Sequence, residues 1–573
     1  MKIAIVGAGS VGGYYGALLA RAGHEVAFIA RGEHLQALRE KGLQVKSILG
    51  DFAVSPVRAT ATPVEIGPVD LIVVAVTFYV SLLTPYVSRF MTAADRFIDP
   101  FALSSVAEKK TSQALYRLTR RIIKIGLGIF FQRLDIQHGE RIPERGPALF
   151  VANHPNSIMD ALVLGAVVQR KLNYIAHARL FRSGLIGRFL RSCGVIPIYR
   201  RQDDPDKMEQ NVNAFQSCYE TLEAGETIGI FPEGTSDMLR KVKKVKTGAA
   251  RIVLETEARN GYEAGVKLIP VGLHFFSRSR FRSRVLVNFG EPIPLVKYFT
   301  RYHQDPAGGV LGLTEEIQSR LEALTVNIRA EALDEFIRDI ETLYRDELKA
   351  PDSTMRDSPQ ASVEEFVISQ KIAECVQHYQ ERDPQRVAAL RDQVAAYKRK
   401  LAWLNLRDNM LKDGATPAAN WRETAKLAGL SLAGLPLAAY GIINNFIPFL
   451  IAEAFAKKFL DERTKILTAL LIGGGLAFIF FYALQIGLVG YFFGPWWATL
   501  YGLSLPMSGF FALAYLKRMR EYQQRVSFSL VAFTNKPLIV KMRRERRKLI
   551  CTMDEAREEY LARRAATFAQ RGE

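Results

Sequence analysis

Apolar and polar positions follow different periods along this chain, and each period predicts a different kind of element. At the N-terminus β-branched runs alternate with helical spacing. Lys2-Ile3-Ala4-Ile5-Val6 reads as a strand, a glycine-rich turn and a helix follow, and further strands are read at 25–29 and 69–76. This is the opening of a βαβ unit over 1–76. Residues 77–114 keep neither period and read as an irregular joint. From 115 to 134, Arg117, Arg120, Arg121 and Lys124 interleave with Leu118, Ile122, Ile125, Leu127, Phe130 and Phe131. That is the pattern of an amphipathic helix, lying in a headgroup layer or packed on the next domain. Short strands at 148–152, 194–199, 227–231, 267–273 and 285–289 then alternate with helical stretches, so the fold class expected over 115–310 is α/β. Residues 311–426 become charged and helical, with Pro351, Pro359 and Pro384 as breakers, and read as a connector.

The last third differs in kind. Residues 466–516 hold no Asp, Glu, Lys or Arg, enough for two helical spans of about 20 residues each. A transmembrane helical hairpin is expected, with spans near 466–489 and 496–516 and with Trp496 and Trp497 as interfacial anchors at its turn. Lys457, Lys458, Arg463 and Lys465 on one flank and Lys517, Arg518 and Arg520 on the other place both outer ends in the cytoplasm by the positive-inside rule. A second uncharged stretch, 428–452, is broken by Pro436, Asn444, Asn445 and Pro448 and is basic on both flanks, so it is expected to enter and return, with a third span as the alternative. The membrane region thus covers 427–520. A basic tail at 521–573, with Lys541, Arg543, Arg544, Arg546, Arg547 and Lys548, would rest on acidic headgroups or stand as a solvated helix.

Composition narrows the partners. The formal net charge of +19 fits an anionic one: a phosphate ester, a phosphate-bearing thioester or an acidic lipid surface. Nucleic acid is disfavoured, because no zinc-finger, RNP or basic-zipper spacing occurs and the basic residues flank apolar stretches. Cys193, Cys218, Cys375 and Cys551 are far apart, which suggests neither a disulfide framework nor a zinc site, and no metal is expected. The chain opens on a strand-like run without the order of a cleaved signal, so secretion by that route is not expected.

Two motifs carry chemistry. Gly7-Ala8-Gly9-Ser10-Val11-Gly12 lies between a predicted strand and a predicted helix, the context in which glycines let backbone amides approach a pyrophosphate. At the end of the second strand, Ala30 and Arg31 stand where an NAD site would hold a carboxylate, so Arg31 argues for the 2′-phosphate of NADP. Through Lys2 to Gly12, Ala30-Arg31-Gly32 and Asp70 to Val76, the first 76 residues resemble the start of ketopantoate reductase. The resemblance then stops: that family's lysine after the third strand is replaced by Val76-Thr77-Phe78-Tyr79, and its helical second domain has no counterpart. A truncated Rossmann fragment is expected, with NADP binding as a possibility at Gly7, Gly9, Gly12 and Arg31.

The second motif, Ala152-Asn153-His154-Pro155-Asn156-Ser157-Ile158-Met159-Asp160, follows a short apolar strand. Acyl transfer to an alcohol needs a base for the hydroxyl proton and a carboxylate to fix the imidazole's tautomer, and His154 with Asp160 would supply that pair. One histidine beside an acid is more often structural, but further blocks follow in order. These are Gly194-Val195-Ile196-Pro197-Ile198-Tyr199-Arg200, then Phe231-Pro232-Glu233-Gly234-Thr235-Ser236, then Ile269-Pro270-Val271. Together they resemble the four motifs of the glycerolipid acyltransferase family, over about residues 115–300. The resemblance implies His154 as base, Asp160 as its orienter, Arg200 on the acceptor's phosphate, and Glu233, Gly234 and Thr235 holding the acceptor. An arginine suits a phosphate because its planar fork donates several hydrogen bonds. Lys246 is a second phosphate candidate, or part of a solvated run with Lys241, Lys243 and Lys244. The family's usual spacing puts four residues between His and Asp, whereas five lie between His154 and Asp160. That requires a wider turn and resembles the branch containing fungal glycerol-3-phosphate and dihydroxyacetone-phosphate acyltransferases. The implied reaction moves an acyl group from acyl-CoA or acyl carrier protein to glycerol-3-phosphate, dihydroxyacetone phosphate or lysophosphatidate, with no cofactor. The alternatives are acylation of another lysophospholipid, a ketopantoate reductase-like or NADP-sensing protein with a membrane module, and a tether with an inactive domain.

Overall fold

The computed structural model describes residues 2–6, 10–30, 32–45, 52–75, 80–83, 112–199, 209, 211–237, 239–278, 280–348, 358–412, 421–457 and 465–571. The chain divides into two compact units, Met1–Glu108 and Lys109–Glu573. In the first, strands run in the order β1 (Lys2–Val6), β2 (Glu25–Ile29), β3 (Leu43–Val45), β4 (Phe52–Val54), β5 (Arg58–Thr60), β6 (Leu71–Ala75) and β7 (Val80–Leu83). The sheet order is β5-β2-β1-β6-β7, with β3 and β4 paired apart from it. β1 is parallel to β2 and β6, with Ile3 opposite both Val26 and Leu71. Helix Ser10–Arg21 connects β1 to β2. It lies close on the sheet because Gly16 has no side chain, and a Cβ there would stand 2.4 Å from the Phe28 ring. Strand β7 runs antiparallel to β6 within a stretch the sequence leaves irregular. Four residues are too few to display a period.

The second unit is built on a sheet of seven strands: β8 (Arg133–Gln137), β9 (Ala148–Ala152), β10 (Leu172–His177), β11 (Ile196–Ile198), β12 (Thr227–Ile230), β13 (Lys267–Phe275) and β14 (Arg284–Phe289). Their order is β11-β10-β12-β9-β13-β14-β8. β9 through β13 are mutually parallel, so their C-terminal ends share one edge, and β14 runs against β13. Every residue of β9 is buried. Leu149 and Val151 face one layer, with Leu222, Ile252, Leu313 and Ile317. Phe150 and its neighbours Ala148 and Ala152 face the other, with Leu127, Met159 and Val163, as the two-residue period of a strand requires. Each large apolar side chain so enclosed stabilises the fold by about 1.5–3 kcal/mol.

Several boundaries differ from the sequence reading. The amphipathic helix is Ser112–Phe130 and stops before 134, because Arg133–Gln137 alternates as an edge strand beside β14. β10, absent from the reading, carries the polar Asn173 and His177 at its ends, which masks its period. Helix Pro306–Ala323 inserts Leu313, Ile317 and Leu321 into the α/β core, so a division at 310 would cut it. The connector and tail are one structure. Helices Asp334–Leu348, Pro359–Arg382 and Pro384–Trp403 bury Ile337, Ile372, Val394 and Tyr397 together with Met542, Leu549 and Met553 of helix Lys536–Arg571. Arg546, expected on headgroups or on a solvated helix, is instead buried and paired with Asp408 at 3.0 Å and Glu347 at 2.7 Å.

Among the described residues, three helices are long and apolar enough to cross a membrane: Ser431–Lys457, Ile466–Phe493 and Pro495–Thr534. The first belongs to a continuous helix, Trp421–Lys457, which contains Pro436 and Pro448. Ser431 and Gly434 lie against Tyr515, far from the hairpin turn at Gly494. Asn444 and Asn445 lie nearer that turn, bonded to Tyr501, Gln485 and Tyr482. Ala452 and Phe455 are back against Gly474 and Gly473. The helix therefore climbs one arm of the hairpin and descends the other. Pro448 frees the Asn444 carbonyl of its helical partner, and the Gln485 amide takes it at 3.0 Å.

Candidate active site

Strand β9 delivers Asn153 and His154 to the shared C-terminal edge of the sheet. The Asn153 side chain zips this exit to β13, donating to the Leu273 carbonyl at 3.1 Å and accepting from the Leu273 N–H at 2.7 Å. His154 Nδ1 then lies 2.9 Å from Asp160 Oδ2, and the same oxygen accepts the backbone N–H of Asn156 at 2.7 Å. The extra residue between His154 and Asp160 is absorbed by Ser157, whose φ of 52° opens the turn before helix Ile158–Val167 begins. The wide spacing thus still produces the pair. Arg120 donates to the carbonyls of Gly165, Ala166, Val168 and Gln169 at the far end of this helix, which satisfies its open C-terminus.

Asp160 is 0% exposed and the His154 side chain 15% exposed. Burial pushes the Asp160 carboxyl up, while the hydrogen bond and charge of His154 act in the opposite direction. The Phe231 ring stacks on the imidazole with centroids 4.3 Å apart and planes 16° from parallel. Nδ1 is taken by Asp160, and Nε2 has no hydrogen-bond partner among the described residues. A ring held in plane, with one nitrogen braced by a carboxylate and the other open, is arranged to take and return a proton.

Glu233 lines the cavity at His154, and both of its oxygens are engaged by backbone donors. It is 5% exposed. One oxygen accepts the His154 N–H at 2.9 Å and the other the Lys243 N–H at 3.0 Å, so the carboxylate ties the histidine turn to the loop around 243. Burial raises its pKa, against which these two backbone bonds act. Gly234 has φ 74° and carries the Lys246 ammonium above it, where a Cβ would come within 2.5 Å of Nζ. The Lys246 N–H donates to the Pro232 carbonyl at 2.9 Å. This separates Lys246 from the rest of its basic run, since its charge reaches the Phe-Pro-Glu-Gly turn. Thr235 Oγ1 accepts from Lys243 Nζ at 3.3 Å, and Lys243 also pairs with Asp237 at 2.9 Å.

One residue escaped the sequence reading. Arg278 lines a small cavity together with His154, Asp237 and Arg240, and donates to the Leu239 carbonyl at 3.1 Å. Burial lowers its pKa to about 10, with Arg338 and Arg240 adding to the effect. It follows β13 in no recognisable motif, so only the fold reveals it. Of the residues singled out from sequence, His154, Asp160, Glu233, Gly234, Thr235 and Lys246 come together, whereas Arg200 lies outside the described residues. In the N-terminal unit Gly12 lies in the first turn of helix Ser10–Arg21, directly after β1, where a pyrophosphate would meet the helix N-terminus. Gly7, Gly9 and Arg31 lie outside the described residues.

Residues 133–274 match the family model described as Acyltransferase, and residues 3–80 match that described as Ketopantoate reductase PanE/ApbA. Among curated relatives, glycerol-3-phosphate O-acyltransferase 2 of Saccharomyces cerevisiae is 36% identical over 118 residues, 20% of this chain and 16% of that one. Glycerol-3-phosphate O-acyltransferase 1 of the same yeast is 27% identical over 255 residues, 42% of this chain and 32% of that one. A 2-dehydropantoate 2-reductase of Mesorhizobium japonicum is 45% identical over 76 residues, 13% of this chain and 23% of that one. The chain therefore spans less than a third of the length of each of these relatives.

Proposed function

We propose that this chain, which carries an acyltransferase-family domain at residues 133–274, is a membrane-bound O-acyltransferase of glycerolipid synthesis. It transfers a fatty acyl group from the thioester of CoA or acyl carrier protein to a hydroxyl of a phosphorylated glycerol-type acceptor. The observation that carries this reading is the His154–Asp160 pair at the open edge of the parallel sheet, at 2.9 Å. His154 Nε2 takes the acceptor's hydroxyl proton as the oxygen attacks the thioester carbonyl. Asp160 keeps the other nitrogen protonated and steadies the imidazolium. Collapse of the tetrahedral intermediate breaks the C–S bond, and the departing thiolate takes the proton from His154. Lys246, Arg278 and Arg200 would hold the acceptor's phosphate, while Glu233 positions the histidine's turn through the backbone.

The two spans of the hairpin and the bent helix between 421 and 457 fix this domain to the bilayer. Basic flanks, together with the helix's return to its starting level, support a cytoplasmic catalytic face. Likeness to two yeast glycerol-3-phosphate acyltransferases favours glycerol-3-phosphate over lysophosphatidate as acceptor. The full chain in nanodiscs, supplied with acyl-CoA and either glycerol-3-phosphate, dihydroxyacetone phosphate or lysophosphatidate, is expected to acylate the first most rapidly. A preference for lysophosphatidate would contradict that assignment, and acylation of none would contradict the whole reading. For the N-terminal unit, its 45% identity to a 2-dehydropantoate reductase over 76 residues favours a dinucleotide-binding remnant. NADPH titration of the full chain tests it, and a flat response would remove it.

A further inference from the structure

Helix Gly184–Ser192 is unusual for an element of an α/β domain. Among its residues only Gly187 is buried. Leu185 is 78% exposed, and Ile186 and Phe189 beside it are exposed as well. Arg182, Arg188 and Arg191 border these apolar positions, and the guanidinium of Arg191 lies 5.6 Å from the Phe181 ring. Leaving three large apolar side chains bare on one short helix is costly in water and marks an interaction surface. Apolar positions flanked by arginines match the boundary between acyl chains and acidic headgroups.

What covers it follows from its neighbours. The helix packs on Ser112–Phe130, whose Leu118, Ile122, Ile125 and Ile129 form an exposed stripe, Ile125 at 65%, with Arg117, Arg121 and Lys124 exposed alongside. That second helix in turn reaches the membrane region. Leu467 shares a core with Leu127 and Phe130, Gly126 faces Leu471, and the Arg282 guanidinium at its end lies 5.7 Å from the ring of Phe510 in the hairpin's second arm. Packing therefore links the hairpin to Ser112–Phe130 and that helix to Gly184–Ser192, and both helices expose apolar residues with basic ones beside them. The location of Gly184–Ser192 in the sheet gives it a role. It follows the turn Ala178–Phe181 after β10, so it stands on the same C-terminal edge as His154 after β9.

We propose that helix Gly184–Ser192 is an interfacial wedge that inserts Leu185, Ile186 and Phe189 into an acidic leaflet and holds the catalytic edge against the bilayer. This insertion stands on geometry alone. Its consequence, that the wedge admits a long acyl chain from the membrane to His154, rests on the acyltransferase reading above.

The test uses the full chain in nanodiscs of phosphatidylcholine and phosphatidylglycerol. Burial pushes the thiol of Cys218 up to about 12 and that of Cys375 up to about 11, and raises that of Cys193 as well. Replacing the exposed Cys551 and the partly buried Cys193 and Cys375 by Ser, with Cys218 buried, leaves a quiet background. An environment-sensitive fluorophore on Leu185→Cys is expected to be quenched several-fold more by chain-nitroxide lipids than by aqueous iodide, and the same label on Glu220→Cys the reverse. Equal iodide quenching at both sites overturns the wedge. With Leu185→Glu combined with Phe189→Glu, transfer from a long-chain thioester is expected to fall about tenfold, whereas transfer from a short, water-soluble thioester holds. Equal loss with both donors means the helix serves the fold, not the membrane. A parent inactive with either donor refutes the acyltransferase reading and leaves the fluorophore to decide the insertion.

Discussion

In the proposed reaction, the His154 imidazole depends on a carboxylate that the fold does not favour as an ion. Burial raises the pKa of Asp160 above that of an ordinary aspartate, so its charged form costs stability at neutral pH. The sign follows: for a folded-state value above the unfolded one, the protein gains from this group below the unfolded pKa and loses that gain as pH rises through the folded one. Asp160→Asn can still accept the Asn156 N–H and removes the buried charge. We expect acyl transfer to fall by about 10²-fold or more while the thermal midpoint stays level or rises. Kinetics and calorimetry on one preparation check both halves, and a large drop in the midpoint would make Asp160 a structural residue. Acid should abolish activity through the same group, beginning above the usual carboxylate range. Glu233 predicts the opposite balance. Glu233→Ala leaves two backbone N–H groups without acceptors, at roughly 1–3 kcal/mol each, and Glu233→Gln keeps one. Denaturant midpoints should fall further for Ala than for Gln, and equal midpoints would contradict the strut. The sequence made His154 and Asp160 legible because motif order is local. It could not show that Glu233 braces the His154 backbone or that Arg278 joins the cavity, because both depend on contacts with residues distant in the chain.

Elements were legible where period and length agreed. The central strand Ala148–Ala152 is a fully buried apolar run and reads directly as one. Strands Arg133–Gln137 and Leu172–His177 are half polar, so their period is weak and neither is read from sequence, whereas Ile196–Ile198 lies within the strand read at 194–199. Helix Trp421–Lys457 is the most instructive case. Its asparagines and prolines look disruptive in one dimension, yet in the bundle Asn444 and Asn445 accept the hydroxyls of Tyr501 and Tyr482. Those bonds hold its bent middle near the hairpin turn. Asn445→Leu should destabilise the membrane bundle by about 0.6–1.7 kcal/mol, read from unfolding in mixed micelles. No change would mean that the bend is held by packing alone.

On the scale of the whole molecule, the connector and tail share one core, with Tyr344 bonded to Asp554 and Arg386 to Glu559 at 2.7 Å. This explains how a tail with so many basic residues is ordered: one side packs inward, and Arg546 is paired with acids. The N-terminal unit matches a different family model from the acyltransferase domain. Because every described residue of the catalytic constellation lies in Lys109–Glu573, removal of residues 1–108 should leave acyl transfer within about twofold of the parent, given the additivity of distant sites. Loss of activity in a stably folded truncation would assign the dinucleotide-type unit a part in the reaction.

The central claim is that one imidazole, braced by one buried carboxylate, is the base for acyl transfer to an alcohol. The most direct measurement compares the full chain with His154→Ala in nanodiscs, with acyl-CoA and glycerol-3-phosphate at saturation. The expected result is a fall in kcat of about 10²–10⁴-fold with little change in the thermal midpoint. Equal rates in the two proteins would contradict it.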